Sequence, residues 1–219
     1  MFMLFIRNLV EIAEAPQKSE NASFTVPGLC LIGLVAYFEA FCKGQFASIV
    51  NVCSMTLTNL VKRRAEVSVS VKDLLHITEK LEYRLGSVLA DRYDFGSAKL
   101  INGLFHDLIT ITPFSARDSR TYARLLDDRN LLVHHGGAYT LKYAYQNLPA
   151  NEVRSRVHDD QVTVGKHELK KYAGFLEQIA RKLTLATHAS LVKFVAANDL
   201  VLDQLQQEAM KYMLWEASD

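Results

Sequence analysis

Breakers are scarce in this chain. Its 219 residues hold 4 prolines and 10 glycines, too few for a collagen-like, linker-rich or generally disordered protein, and the scarcity favours long helices. An excess of one charge is also missing. With 25 Lys and Arg against 24 Asp and Glu the formal net charge is +1, so the overall basicity of a general nucleic-acid coat is excluded and any phosphate site must be local. Cysteine is sparse: Cys30, Cys42 and Cys53 form no CxxC pair. An odd, widely spaced set reads as reduced core thiols rather than a disulfide framework or a zinc site, which points to the cytoplasm. Long apolar runs are absent too. The most apolar stretch, Leu29 to Cys42, contains Glu39 and falls short of the ~20 residues of a membrane span. It is expected to be a buried helix, with no membrane partner. The opening MFMLFIRNLV lacks a basic leader and is interrupted by Arg7 and Glu11, so a signal peptide is not expected. No repeat, low-complexity tract or Gly/Ser linker marks an internal boundary, and residues 1–219 are read as one domain.

What is present is helical periodicity, in a chain that is 49% hydrophobic. After a short amphipathic segment and a polar break at 15–23, Thr25-Val26-Pro27 supplies a cap with proline in the first turn, and a long helix is expected to about Lys62. Ser70 and Asp73 resemble a capping box opening a helix that carries Leu74, Leu75, Ile77, Leu81, Leu85 and Leu89. Gly96-Ser97 starts a third helix, to about Ile109. Thr112-Pro113 breaks the pattern, and Asp118 or Ser119 caps a fourth helix that Gly136-Gly137 terminates. Residues 138–145 and 161–164 have short β-like character and suggest a small hairpin or a long excursion. From Lys166 onward one or two long helices are expected, with a break at Asn198-Asp199. The fold class is all-α, with either a small β-hairpin or a long excursion after the fourth helix.

The chemistry is concentrated at the end of that fourth helix, in Asp127-Asp128-Arg129-Asn130-Leu131-Leu132-Val133-His134-His135-Gly136-Gly137. At about 100° per residue, Asp127, Asn130 and His134 project along one face. Asn130 can fix the tautomer of an imidazole by hydrogen bonding, and Asp127 favours its protonated form, the two levers that set a histidine for proton transfer. Arg129 falls amid an apolar stripe of Tyr122, Leu125, Leu126, Leu132 and Val133, where an uncompensated charge is expensive to desolvate. Either an internal carboxylate compensates it, Glu39 having the same problem with opposite sign, or the stripe meets a second copy and leaves the guanidinium facing a shared cleft where phosphate docks. On one straight helix Arg129 and His134 lie about 140° apart, so they do not stack unaided.

The string Arg129-Asn130-Leu131-Leu132-Val133-His134 resembles the signature of the HEPN superfamily, an arginine followed after four to six residues by histidine, with a polar residue directly after the arginine. Its place late in a helix, the Gly-Gly stop and the following segments are similar to the HEPN families related to RiboL-PSP and Apea-like proteins. Leu34-Val35-Ala36-Tyr37-Phe38-Glu39-Ala40-Phe41 resembles the first core helix of those families, so the likeness spans roughly residues 28–187, flanked by an N-terminal segment and a C-terminal helical extension. The resemblance implies a helical bundle that forms a homodimer with two motifs facing one cleft. It also implies a metal-independent endoribonuclease without cofactor, with Arg129, Asn130 and His134 at the site. Many such proteins are toxins or defence effectors held in check by an antitoxin or a small nucleotidyltransferase; others have lost catalysis and bind nucleotide, RNA or a partner protein.

Structural readings stand beside these. His134 and His135 suit a helix C-terminus, where the dipole favours imidazolium; His135 points about 100° from His134 and is read as a cap or solvent-facing group in a supporting place. Asp127 and Glu39 are likewise supporting residues, and Asp128 is read as solvated or as backing the site from behind. Lys62-Arg63-Arg64 and the Lys166, His167, Lys170, Lys171 group are either solvated helix surface or phosphate contacts. Tyr143 and Tyr145 either stack on bases or pack the hairpin. His76, His106, His158 and His188 show no metal-ligand spacing.

Overall fold

The computed structural model describes residues 2–16, 20–64, 67–69, 71–72, 81–150, 153 and 160–215. Among them it is all-α, with no strand. The helices are α1 (Phe2–Glu14), α2 (Glu20–Val52), α3 (Leu57–Arg63), α4 (Leu85–Ala90), α5 (Ala98–Ile109), α6 (Ala116–His135), α7 (Leu141–Asn147), α8 (Lys166–Ala197) and α9 (Gln204–Trp215). The expected Ser70/Asp73 cap and Leu74, Leu75 and Ile77 lie outside the described residues, as do His76 and His158. Contacts divide the chain into two compact units, one of residues 1–38 and 116–177, the other of residues 39–115 and 178–219.

In the first unit, α1 supplies Phe2 and Phe5 to α2. Phe2 meets Phe38 at 5.8 Å between ring centroids, and Phe5 stacks on Tyr37 at 4.3 Å. Phe38 in turn packs edge-on against the fully buried Tyr122 of α6, at 5.5 Å. The start of α8 is tied to the end of α1 by Lys166 Nζ donating to the Glu14 carbonyl (3.1 Å) and by an ion pair between Lys170 and the Glu14 carboxylate. Those two lysines are thereby engaged in holding helices together. α6 begins at Ala116, ahead of the expected cap at Asp118 or Ser119, and ends as expected. Gly136 and Gly137 take φ of 58° and 88°, a region open to glycine at little cost, and the Gly137 N–H donates to the Leu131 carbonyl (2.9 Å).

Of the two readings for the segment after α6, the hairpin finds no strands among the described residues. Only an isolated antiparallel bridge joins Ala138 to Gln161, with the Val162 N–H on the Gly137 carbonyl (2.8 Å), while residues 141–147 coil into α7. The physical reason lies in Thr140, whose side chain accepts from the Tyr143 N–H (3.2 Å) and caps a helix; a local cap outweighs the β preference of the tyrosines. Tyr139 and Tyr143 stack at 5.0 Å and form a small cluster with Leu131.

In the second unit, Phe46 is the centre of an aromatic set, with Tyr93, Phe95 and Phe105 edge-on to it at 5.5–6.4 Å. Ser97 caps α5 as expected, accepting from the Leu100 N–H (3.2 Å), and Asn102 clamps the chain at Phe114 through both main-chain groups (2.8 and 2.9 Å). α3 lies on α5: Arg64 Nε pairs with Asp107 (2.8 Å) and its guanidinium covers the Tyr93 ring, while Arg63 donates to the His106 carbonyl and to Thr110 Oγ1. Arg63 and Arg64 are therefore committed to the fold.

α2 differs from expectation at both ends. It starts at Glu20, so Pro27 lies inside it, and it stops at Val52 instead of running to Lys62. Cys53 leaves the helical region (φ −145°, ψ 85°), and Thr56 turns its hydroxyl back onto the Cys53 carbonyl (2.8 Å) to form a single tight turn before α3, the local competition by which threonine disfavours a continuing helix. The span Thr25–Val52 is longer than the run singled out from sequence and is long and apolar enough to cross a membrane by length and composition. Its Leu31, Leu34, Val35, Phe38, Cys42, Phe46, Ile49 and Val50 are at most 1% exposed, as in a core helix. The three cysteines are free and buried, as expected. The break after α8 falls at Asn198-Asp199, where Asp199 takes φ 49°.

Candidate functional site at the end of the motif helix

α6 buries Tyr122, Leu125, Asp128 and Leu131, a face displaced around the helix from the stripe drawn from sequence. Leu126 and Leu132 are half-buried and Val133 is 45% exposed. The displacement changes which charge is enclosed. Arg129 is half-buried, at the edge of the packed face, whereas Asp128 is 6% exposed.

Asp128 is bound from three sides. Its Oδ1 accepts from the Tyr143 hydroxyl (2.6 Å), its Oδ2 from the Tyr172 hydroxyl of α8 (2.7 Å), and Arg124, one turn earlier, brings Nε to 3.3 Å. Arg124 also donates to Tyr143 Oη (2.6 Å) and to the Asn147 carbonyl (3.1 Å), with its guanidinium 4.9 Å from the Tyr143 ring centre. A buried polar group is costly without such hydrogen-bond partners. The tyrosines register the arrangement: burial, then the bond to Asp128 and its charge, push both hydroxyls well above their ordinary pKa. The signal available in the sequence was the spacing of Arg124 four residues before Asp128 on the Tyr122–Leu125 face.

On the opposite face, Asp127, Asn130 and His134 line one hollow of about 270 Å³, closed on its far side by Thr140, Lys142 and Tyr143 of α7 and its cap. The alignment expected from helical geometry is thus realised. His135, expected to point elsewhere, lines the same hollow. Asn130, His134 and His135 are exposed. Asp127 is half-buried, its Oδ2 accepting from Asn147 Nδ2 (3.1 Å), and so is held at the floor. Lys142, which has no role in the sequence reading, adds an exposed cation to the lining.

Arg129 is not among the residues lining the hollow, as the 140° separation implies for one straight helix. Glu39 is half-buried on α2 and belongs to the other unit. Tyr143 packs inside and backs the hollow, while Tyr145 is 73% exposed. Among the described residues, no three His, Cys, Asp or Glu side chains are grouped so as to share a metal ion.

The hollow joins an imidazole able to move a proton, an amide able to orient it, a carboxylate and a cation, open to solvent. It is a shallow polar site suited to a ligand that brings its own charge. Comparison of the chain with family models, with curated proteins and with solved structures finds no match.

Proposed function

We propose that the protein is a metal-independent endoribonuclease of HEPN type, acting as a cytoplasmic homodimer. The observation that supports this reading is the convergence of Asn130 and His134 of the Arg-Asn-x-x-x-His string on one open hollow, with Asp127 behind them and Lys142 at the rim. In the reaction the 2′-hydroxyl of a nucleotide attacks the adjacent phosphodiester, and its oxygen displaces the 5′-oxygen of the next nucleotide. His134 transfers the proton, Asn130 beside it in the hollow orients the imidazole once RNA is bound, and cationic side chains neutralise the charge that builds on the phosphorane oxygens. Lys142 is in place for that task within one chain. Arg129 enters from a second copy whose motif helix faces the same cleft, so that the dimer completes the site. The products carry a 2′,3′-cyclic phosphate and a 5′-hydroxyl. The biological role that goes with such an activity is that of a toxin or defence effector restrained by an antitoxin or a nucleotidyltransferase partner.

Replacement of His134 tests the assignment. Proton transfer by a placed side chain typically contributes 10²–10⁴-fold, so His134→Ala is expected to lower RNA cleavage by about 100-fold or more while the circular dichroism spectrum and melting temperature stay as in the wild type, since His134 is exposed. Undiminished cleavage by the variant removes His134 from the mechanism. Binding of RNA without cleavage by the wild type identifies instead a non-catalytic module of the same fold.

A further inference from the structure

The hollow on α6 has two chemically different ends. α7 runs back alongside α6: its cap at Thr140 follows closely on the end of α6 at His135, while Asn147 at its far end meets Asp127 (3.1 Å) and the Arg124 guanidinium (3.1 Å). Lys142, in the first turn of α7, therefore lies across from His134 and His135. Gln146, one turn further on, lies across from Asn130 and Asp127, and all six residues line the hollow. A helical turn advances about 5.4 Å, so an ammonium and two imidazoles gather at one end, and two carboxamides and a carboxylate at the other.

The side chains at both ends are open to a ligand. Asn130, His134, His135, Lys142 and Gln146 are exposed, and none exchanges a side-chain hydrogen bond or ion pair with a described residue. Asp127 accepts from Asn147 through Oδ2 (3.1 Å), which leaves Oδ1 to accept from a ligand. At the first end the ammonium and the ring N–H groups suit a phosphate. At the second, each carboxamide offers a donor and an acceptor together, and the carboxylate accepts. The volume of about 270 Å³ is close to the lower end of the roughly 300–1,000 Å³ of small-molecule sites, a size for one nucleotide unit rather than a length of strand.

We infer that the hollow reads the base of the nucleotide whose 2′-hydroxyl attacks, and that it prefers a base bearing an exocyclic amino group, adenine, cytosine or guanine, to uracil. The inference rests on the nuclease reading of the same site, which supplies the nucleotide that is held. With the scissile phosphate against Lys142 and the imidazoles, the base on the same ribose falls at the amide end. There a carboxamide bonds bidentately to adenine N6 and N7, and a carboxylate accepts from cytosine N4; the guanine N2 amine donates in the same way. Uracil presents carbonyl oxygens in place of an amine and sets an acceptor against the Asp127 oxygen. Gln146 is then a specificity-determining residue, and Lys142 binds phosphate whatever the base.

NMR titration of the full chain with the 3′-monophosphates of adenosine, cytidine, guanosine and uridine, which carry phosphate where the scissile linkage starts and need no cleavage, tests the inference. At least one of the first three is expected to bind about fivefold or more tightly than the uridine nucleotide, the discrimination of one good base pairing. Gln146→Ala is expected to bring the four toward equal affinity, whereas Lys142→Ala weakens all four and keeps their ratio. Both side chains are exposed, so both variants are expected to melt with the wild type. No binding at millimolar concentration, equal binding of the uridine nucleotide, a ratio unmoved by Gln146→Ala or an affinity unmoved by Lys142→Ala overturns the inference. Incubation with RNA in excess EDTA separates it from the reading beneath it. Cleavage without base preference removes the base site and leaves the nuclease; selective binding without cleavage leaves the base site and removes the nuclease.

Discussion

Removing the Asp128 carboxylate exposes how much the polar network behind the α6 hollow contributes to stability. Asp128→Ala deletes the acceptor of two tyrosine hydroxyls, Tyr143 at 2.6 Å and Tyr172 at 2.7 Å, and the counter-charge of Arg124 at 3.3 Å. A hydrogen bond to a charged group contributes roughly 1.5–3 kcal/mol. Arg124 is 37% exposed, so its attraction is screened and adds at most about 1 kcal/mol. Tyr143 keeps its contact with Arg124 in the variant, which offsets part of the loss. The expected destabilisation is about 4 kcal/mol, with Tyr143→Phe giving about 1–2 kcal/mol. Urea unfolding followed by circular dichroism measures both, and a double-mutant cycle is expected to show coupling of about 1 kcal/mol or more, as groups in one network do not add. A loss below about 1 kcal/mol for Asp128→Ala, the size of an ordinary surface change, refutes the claim that this carboxylate is a structural centre.

Alkaline pH probes the same network. The folded-state pKa values of Tyr143 and Tyr172 lie above the unfolded value, through burial first and the Asp128 carboxylate second. The stability they confer is therefore complete below about pH 10 and declines as the pH rises above it, because the unfolded chain releases those protons first. A Tyr143→Phe, Tyr172→Phe double variant is expected to lose stability more gently above that pH in urea titrations; an unchanged slope contradicts the assignment. The thiols provide an independent check of the core. Burial, and for Cys42 the charge of Glu39 as well, raises the pKa of the cysteines, so labelling by a disulfide reagent at about pH 8 is expected to follow unfolding and to accelerate in urea. Immediate labelling of all three thiols in native buffer contradicts it.

The helices bounded by strong local signals were legible in the sequence. Ser97 announced α5, Gly136-Gly137 the end of α6, and Asn198-Asp199 the end of α8, because a cap or a positive φ is decided by the residue itself. The boundaries of α2 were not, since α2 extends a further two turns ahead of Pro27 in spite of the bond that proline forgoes, and the stop at Cys53 goes with the Thr56 hydroxyl rather than with a breaker. α7 was not legible for a related reason: alternating tyrosines and small residues suit a strand, and the Thr140 cap decides for a helix. At the site, the common face of Asp127, Asn130 and His134 followed from helical geometry alone. The exchange of roles between Asp128 and Arg129 did not, because a shift of one residue in the buried face comes from the packing of Tyr143 and Tyr172, far along the chain.

The central claim is that the end of α6 cleaves RNA through its own side chains. Its most direct test is to incubate the purified protein with RNA in excess EDTA and to determine the chemistry of the new ends. Fragments bearing 2′,3′-cyclic phosphate and 5′-hydroxyl termini are the predicted result. Intact RNA, or cleavage that appears only with added divalent cation and leaves 5′-phosphates, contradicts the account.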